Sequence, residues 1–145
     1  MPLLTSKVNF FYDGTKVNIK NRRQLKEFIE FIFKKEKRRL GSINYIFCTD
    51  AKLLQINREY LGHNYFTDII TFDLSDEVNR VAAEVYISLD RVKENAANQK
   101  VPFSKELHRV MFHGALHLCG YRDKTLSEKK RIRAAEDFYL NRFFK

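Results

Sequence analysis

Tryptophan is absent from this 145-residue chain, and cysteine, proline and methionine occur only twice each. Two cysteines, Cys48 and Cys119, are too few for the disulfide-dense scaffold of a small secreted protein. Two prolines and five glycines leave no stretch that reads as a flexible linker or low-complexity tract, so residues 1–145 are expected to form a single domain. No run approaches the ~20 consecutive apolar residues that a helix needs to span a bilayer, which sets membranes aside as a partner. Met1 to Lys7 have no long apolar core and no small-residue cleavage site, so no secretory leader is expected and the cytoplasm is the expected location. Negative charge is also scarce. The 18 Asp and Glu residues face 27 Lys and Arg, leaving a net charge of +9. Such an excess favours nucleic acid or another anionic surface over a basic partner.

What is present fits a soluble globular protein. Hydrophobic residues make up 44% of the chain and charged residues 31%, too apolar for disorder. A chain of this size can bury roughly two thirds of its unfolded surface. The charge is unevenly divided: residues 1–40 carry +7, residues 41–100 carry −3 and residues 101–145 carry +5. Two dense basic clusters stand out. One is Lys34-Lys35-Glu36-Lys37-Arg38-Arg39, the other Lys129-Lys130-Arg131 followed by Arg133. Each alone reads as a solvated helix face, but together they can hold a phosphate backbone, because each neutralised phosphate releases counterions.

Val8, Phe10 and Tyr12 alternate as in a strand, and Asp13-Gly14 marks a turn. Asn21, with Gln24 three residues on, is expected to cap a helix on which Leu25, Phe28, Ile29, Ile32 and Phe33 form an apolar stripe, ending near Gly41. Phe28, Phe31 and Phe33 are read as helix packing. Ser42–Thr49 reads as a strand, and Asp50 is expected to cap a short helix through Tyr60. A loop with Gly62, His63 and Asn64 leads to two more strands, Asp68–Leu74 and Ala82–Ser88. Helices follow at about 89–100, 104–119 and 125–143, with Ser104 capping the second and a Thr125/Glu128 capping box opening the third. Strands early and helices late predict an α+β domain: one small mixed β-sheet of about four strands packed with several helices.

The segment richest in chemistry runs from His113 to Asp123, His-Gly-Ala-Leu-His-Leu-Cys-Gly-Tyr-Arg-Asp. His113 and His117 are four apart and share one helix face, so two imidazoles can grip one tetrahedral metal ion. Gly120 can turn the chain back, bringing Asp123 within reach as a third ligand and leaving a fourth position for water. Two helix-face histidines bonded to neighbours are the structural alternative.

This segment resembles the signature of the YbeY family of bacterial endoribonucleases, His-Gly-x-Leu-His-Leu-x-Gly-Tyr-Asp-His, whose three histidines hold a metal. A second family block, Leu-Asn-x-x-Tyr-Arg-x-x-Asp-x-Pro-Thr-Asp-Val-Leu-Ser-Phe, is echoed from Ile56 to Phe72, and a third, Gly-Asp-Ile-x-Ile-Ser, is similar to Ala83–Ser88. The resemblance implies an α+β metal-dependent hydrolase, with one zinc or another divalent ion, that cleaves single-stranded RNA. It also implies a role in 16S rRNA 3′-end maturation and ribosome quality control, alongside the ribosome or small-subunit components. Two departures matter. Asp123 stands where the family has its third histidine, giving a His2Asp set whose harder ligation weakens selectivity for zinc. Leu61 stands where the family has an Arg that serves catalysis or phosphate binding, and Arg58 or Arg122 are the available substitutes.

Among other residues, Asp68 and Glu84 fall on expected strands, where a carboxylate needs a partner, so either could orient a ligand histidine. His108 is expected to face away from the pair, His63 to lie in a surface loop, and Cys48 and Cys119 to be core. Two rivals remain open. A metallopeptidase would share the ligand spacing but needs a Glu after the first histidine, where this chain has Gly114. A ribosome-associated RNA-binding factor with a structural metal would fit the loss of Arg at Leu61.

Overall fold

The computed structural model describes residues 6–145; Met1–Thr5, and with them most of the segment read above for a leader, lie outside the described residues. The chain runs β1 (Val8–Asp13), α1 (Arg22–Lys35), β2 (Leu40–Cys48), α2 (Asp50–Leu61), β3 (Ile69–Asp73), β4 (Val81–Ser88), α3 (Leu89–Gln99), α4 (Phe103–Leu118) and α5 (Leu126–Phe143). The strands form one mixed sheet in the order β1-β2-β4-β3, with β1, β2 and β4 parallel and β3 antiparallel on the edge. An α+β architecture with a four-stranded mixed sheet is therefore what the chain adopts.

Pleating assigns alternate residues to opposite faces. One face carries Val8, Phe10, Ile43, Tyr45, Phe47, Ala83, Val85 and Ile87, and packs against buried residues of α1, α3, α4 and α5. The other face carries Cys48 and Ile70, with Phe72 and Tyr86 beside them, and receives Leu53 and Ile56 of α2. The sheet thus separates α2 from α4. Both cysteines are buried and unpaired, as expected of core thiols.

α4 lies unusually close to β3 and β4. A Cβ at Gly114 would stand 3.0 Å from Ile69 Cδ1 and 3.1 Å from Val85 Cγ1, so a larger residue would settle there only if these side chains shifted. That approach sets α4 beside the start of β3.

Several boundaries differ from the sequence expectations. Asn21 does sit at the start of α1, but its backbone is left-handed (φ 57°) and its side chain caps nothing. The α1 helix ends at Lys35, short of Gly41: Lys37 turns left-handed (φ 62°) and the Arg38 amide bonds back to the Phe33 carbonyl. Gly41 instead lies in β2, at a break in its register with β4. Thr49, not Asp50, caps α2, because its side chain accepts from the Lys52 amide while Asp50 is already helical. Pro102 occupies the capping position of α4 and Ser104 lies inside the helix, as suits proline's fixed φ and missing N–H at a helix start. Thr125 and Glu128 form the expected capping box of α5. None of the described helices is long and apolar enough to cross a membrane.

Candidate metal centre and its cleft

His113 and His117 project from successive turns of α4, with ring centroids 4.6 Å apart and ring planes at 79°. Beyond the helix end, Gly120 adopts φ +103°, a conformation that strains any other residue. The chain turns back there and delivers Asp123, whose Oδ2 lies 3.2 Å from His117 Nε2 and 3.4 Å from His113 Nε2. Two donors each held ~2.0–2.1 Å from a tetrahedral ion stand about 3.3 Å apart. Both carboxylate–imidazole separations match that spacing, and the ligand atoms of all three side chains lie within 4.8 Å of one another, a nitrogen, nitrogen and oxygen set that could hold one ion.

The orientation of His113 is fixed from behind. Its Nδ1 lies 2.5 Å from Oε2 of Glu136 on α5, a carboxylate only 1% exposed. Arg109 donates from Nη1 to Glu136 Oε1 at 3.0 Å and also bonds the buried Glu106. A carboxylate only accepts, so the Nδ1 hydrogen belongs to the Glu136 bond. A neutral His113 then turns the lone pair of Nε2 toward Asp123 Oδ2. Two lone pairs at 3.4 Å call for a cation between them, either a proton on the ring or a metal ion. The same geometry governs protonation. Burial pushes His113 down, but the Glu136 bond and charge, with Asp123 and Asp68, overcome it and hold the imidazole above its ordinary pKa. Burial likewise pushes Glu136 up, and His113 and Arg109 reverse this to hold it below the usual carboxylate value.

The ligand atoms open onto a cleft of about 460 Å3 between α4 and β3, lined also by Thr67, Asp68, Ile69, Thr71 and Asp73. Its carboxylates, Asp68, Asp73 and Asp123, face no lysine or arginine among the lining residues, which suits a cation. Burial pushes the Asp68 carboxyl above its ordinary pKa, against the opposing charges of His113 and Arg109.

Neither of the expected orienting carboxylates hydrogen-bonds a histidine of the pair. Asp68 lies in the cleft, but its Oδ2 accepts a hydrogen bond from Asn95 at 3.2 Å and from neither histidine. Glu84 faces the other way: the pleat of β4 puts it on the α2 side of the sheet, where the Tyr86 hydroxyl donates to it. The carboxylate that holds one of these histidines is Glu136. It was legible only indirectly, as a charge on the apolar stripe Ile132, Glu136, Tyr139 and Leu140 of α5.

Neither proposed stand-in for the missing arginine lines the cleft. Arg58 is on α2, across the sheet from α4, with its Nε donating to Asn64 Oδ1. Leu61 ends the same helix, 44% exposed. Arg122 is exposed beside Asp123 and lines a neighbouring cavity. His63 is an exposed loop residue stacked on Tyr65. His108 is buried among Phe112, Phe143 and Phe144, away from the centre.

The structure brings the two basic clusters to one end of the molecule. Lys34 and Lys35 close α1, Lys37, Arg38 and Arg39 lead to β2, and Lys129, Lys130 and Arg131 occupy the early turns of α5; all are exposed. Glu36, between the first set, accepts from the hydroxyls of Tyr121 and Tyr139, and Lys35 lies over the Phe138 ring.

Known proteins resemble the chain along nearly all of its length. A family model described as Endoribonuclease YbeY matches residues 9–144. A curated Endoribonuclease YbeY of Cytophaga hutchinsonii is 47% identical over 132 residues, covering 91% of this chain and 92% of that protein. That of Bacteroides fragilis is 42% identical, covering 90% and 93%, and that of Flavobacterium psychrophilum 51% identical, covering 71% and 73%. The solution structure of TM1509 from Thermotoga maritima superposes with a TM-score of 0.63 at 27% identity, covering 94% of this chain and 89% of that one. The histidine pair, the turn at Gly120 and the mixed sheet beneath them are thus set in a chain that belongs, by sequence along almost its whole length, to the endoribonuclease YbeY family.

Proposed function

We propose that this chain is a single-domain, metal-dependent endoribonuclease that cleaves single-stranded RNA. Its place is in the cytoplasm, in 16S rRNA 3′-end maturation and ribosome quality control, in company with the ribosome or its small-subunit components. The observation that carries this reading is one carboxylate oxygen, Asp123 Oδ2, set 3.2 and 3.4 Å from two imidazole nitrogens, one of them on a ring held from behind by Glu136. The Endoribonuclease YbeY relatives supply the substrate class.

His113 and His117 would hold the ion through Nε2 and Asp123 through Oδ2; zinc suits two imidazoles and a carboxylate, and another divalent ion is compatible with the oxygen ligand. Zinc bound there lowers the pKa of a water toward ~7 and polarises a phosphoryl oxygen. Glu136 keeps the Nδ1 hydrogen on His113, and with it the lone pair on Nε2. Asp68, which lines the same cleft with its carboxyl raised by burial, would be the group to accept a proton from a water there. The acidic cleft itself repels phosphates, so the strand is held by the basic residues outside it.

A second reading, an RNA-binding factor with a structural metal, draws on Leu61 and on the absence of any guanidinium from the cleft lining. A peptidase is disfavoured: its general base would follow the first histidine, and that position is Gly114, packed closely against Ile69 of β3 and Val85 of β4. The test is incubation of the purified protein with single-stranded RNA and with casein, with and without chelator, beside His117→Ala prepared alike. Chelator-sensitive RNA cleavage lost in the variant is expected. Casein cleavage would overturn the reading, and RNA binding without such cleavage would favour the structural-metal factor.

A further inference from the structure

Where the ends of α1 and α4 meet the early turns of α5, a cavity of about 330 Å3 is lined by residues that include Glu36, Gly120, Tyr121, Arg122, Glu128 and Arg131. Two guanidinium groups, Arg122 and Arg131, line it, and a third, Arg38, stands at its edge against Gly120. Arg131 lies over the Tyr121 ring, 5.3 Å from its centroid, and lines the cavity. Arg38 reaches across from the segment after α1, its Nη2 standing 2.9 Å from where a Cβ of Gly120 would be, so the glycine is what admits it. Arg122 completes the set. The two carboxylates at the cavity accept hydrogen bonds from neutral donors and keep their charge, which the three guanidinium groups exceed. Glu36 accepts from the Tyr121 and Tyr139 hydroxyls, and Glu128 accepts from the amides of Lys124 and Thr125 in the capping box. Arg23, Arg91, Arg109 and Arg133 each stand within 4.0 Å of an acid. Among the described residues, Arg38, Arg122 and Arg131 enter no ion pair of that kind.

Three unpaired, planar, permanently charged forks around one concavity match the oxygens of a phosphate. We propose that this cavity is a phosphodiester subsite, which holds a backbone phosphate of the RNA strand next to the stretch presented to the metal centre. Resting on the single-strand nuclease reading, it supplies the cationic contact that the acidic cleft lacks. Arg122 lines this cavity and the next residue, Asp123, lines the cleft of the histidine pair, so the two sites adjoin. Because the three residues come from three separate segments, the two basic clusters form one site only in the folded chain.

The test is binding of a fluorescently labelled single-stranded RNA, read by anisotropy with chelator present to prevent cleavage, between about 50 and 200 mM salt. Arg38→Gln with Arg131→Gln is expected to weaken binding about tenfold. The slope of log affinity against log salt should shrink by about 1.4, roughly 0.7 for each arginine that no longer neutralises a phosphate. A charge-matched control, Lys93→Gln with Lys105→Gln, is expected to change neither. Equal weakening in both double variants, or a slope unchanged in the first, would overturn the subsite, while chelator-sensitive cleavage by the unaltered protein would leave the nuclease reading standing. Failure of the unaltered protein to bind RNA would overturn both. All three arginines are exposed, so the variants should keep their fold, and side-chain Nε–Hε NMR signals provide a second readout. Signals of Arg38, Arg122 and Arg131 should move with RNA and stay still with the same concentration of inorganic phosphate. Movement with phosphate alone would make this a free-anion site and contradict the proposal.

Discussion

Replacing Glu136 by glutamine keeps the shape of a 1% exposed side chain but removes its charge and one acceptor. In the unaltered protein both oxygens accept, one from Arg109 Nη1 and one from His113 Nδ1. Glutamine can satisfy only one of them. With its oxygen on Arg109, its amide faces His113 Nδ1 and forces the ring into the tautomer with hydrogen on Nε2, which then cannot serve a metal. With its oxygen on His113, the amide opposes the guanidinium. Either way one buried charge-assisted bond disappears, which costs about 1.5–3 kcal/mol. For a domain near this size that lowers Tm by roughly 5–10 °C. Metal affinity, measured by competition with a chromophoric chelator on the folded variant well below its Tm, should fall by about 10–100-fold. Affinity within twofold of the unaltered protein, alongside the same drop in Tm, would refute the idea that Glu136 orients a ligand and leave it a packing partner.

Further outcomes are expected from other residues. Gly114→Ala gains about 1 kcal/mol of helix propensity but meets Ile69 and Val85 at 3.0–3.1 Å, an overpacking that costs about 1–3 kcal/mol; urea denaturation should show a net loss of up to about 2 kcal/mol. Leu61→Arg restores the family's residue at an exposed helix end, and should raise cleavage of single-stranded RNA while moving stability by no more than about 0.5 kcal/mol. Burial holds His108 below its ordinary pKa of 6.5, only partly offset by its bond to the Ser104 carbonyl. The unfolded chain therefore takes up a proton there before the folded one does. Its contribution to stability is complete above 6.5 and lost as the pH falls toward the lowered value, and His108→Gln should flatten the stability profile over that interval.

The two histidines of the centre were legible because a four-residue spacing on a helix survives in the sequence as a pattern. Asp123 was legible through Gly120, whose left-handed turn fixes where the chain returns. Glu136 was not, since it is 23 residues from His113 and reaches it only through the packing of α5 on α4; its one trace is a carboxylate within an apolar stripe. Glu84 misled for a related reason. A strand's sequence shows that alternate residues part company, but which face meets α4 is settled by the tertiary fold. The caps at Thr49 and Pro102 differ by one or two residues from the expected ones, because neighbouring residues compete for the same position and backbone geometry decides between them. The cavity between the basic clusters joins three segments, so no local pattern announces it.

The central claim is that His113, His117 and Asp123 hold the ion on which RNA cleavage depends. Its most direct test is the metal content of purified protein by elemental analysis, on the same samples assayed for cleavage of single-stranded RNA. One divalent ion per chain, with both ion and cleavage lost in His117→Ala and in Asp123→Ala, is the predicted result. Full cleavage by protein that carries no metal, or a full complement of metal in His117→Ala, would contradict it.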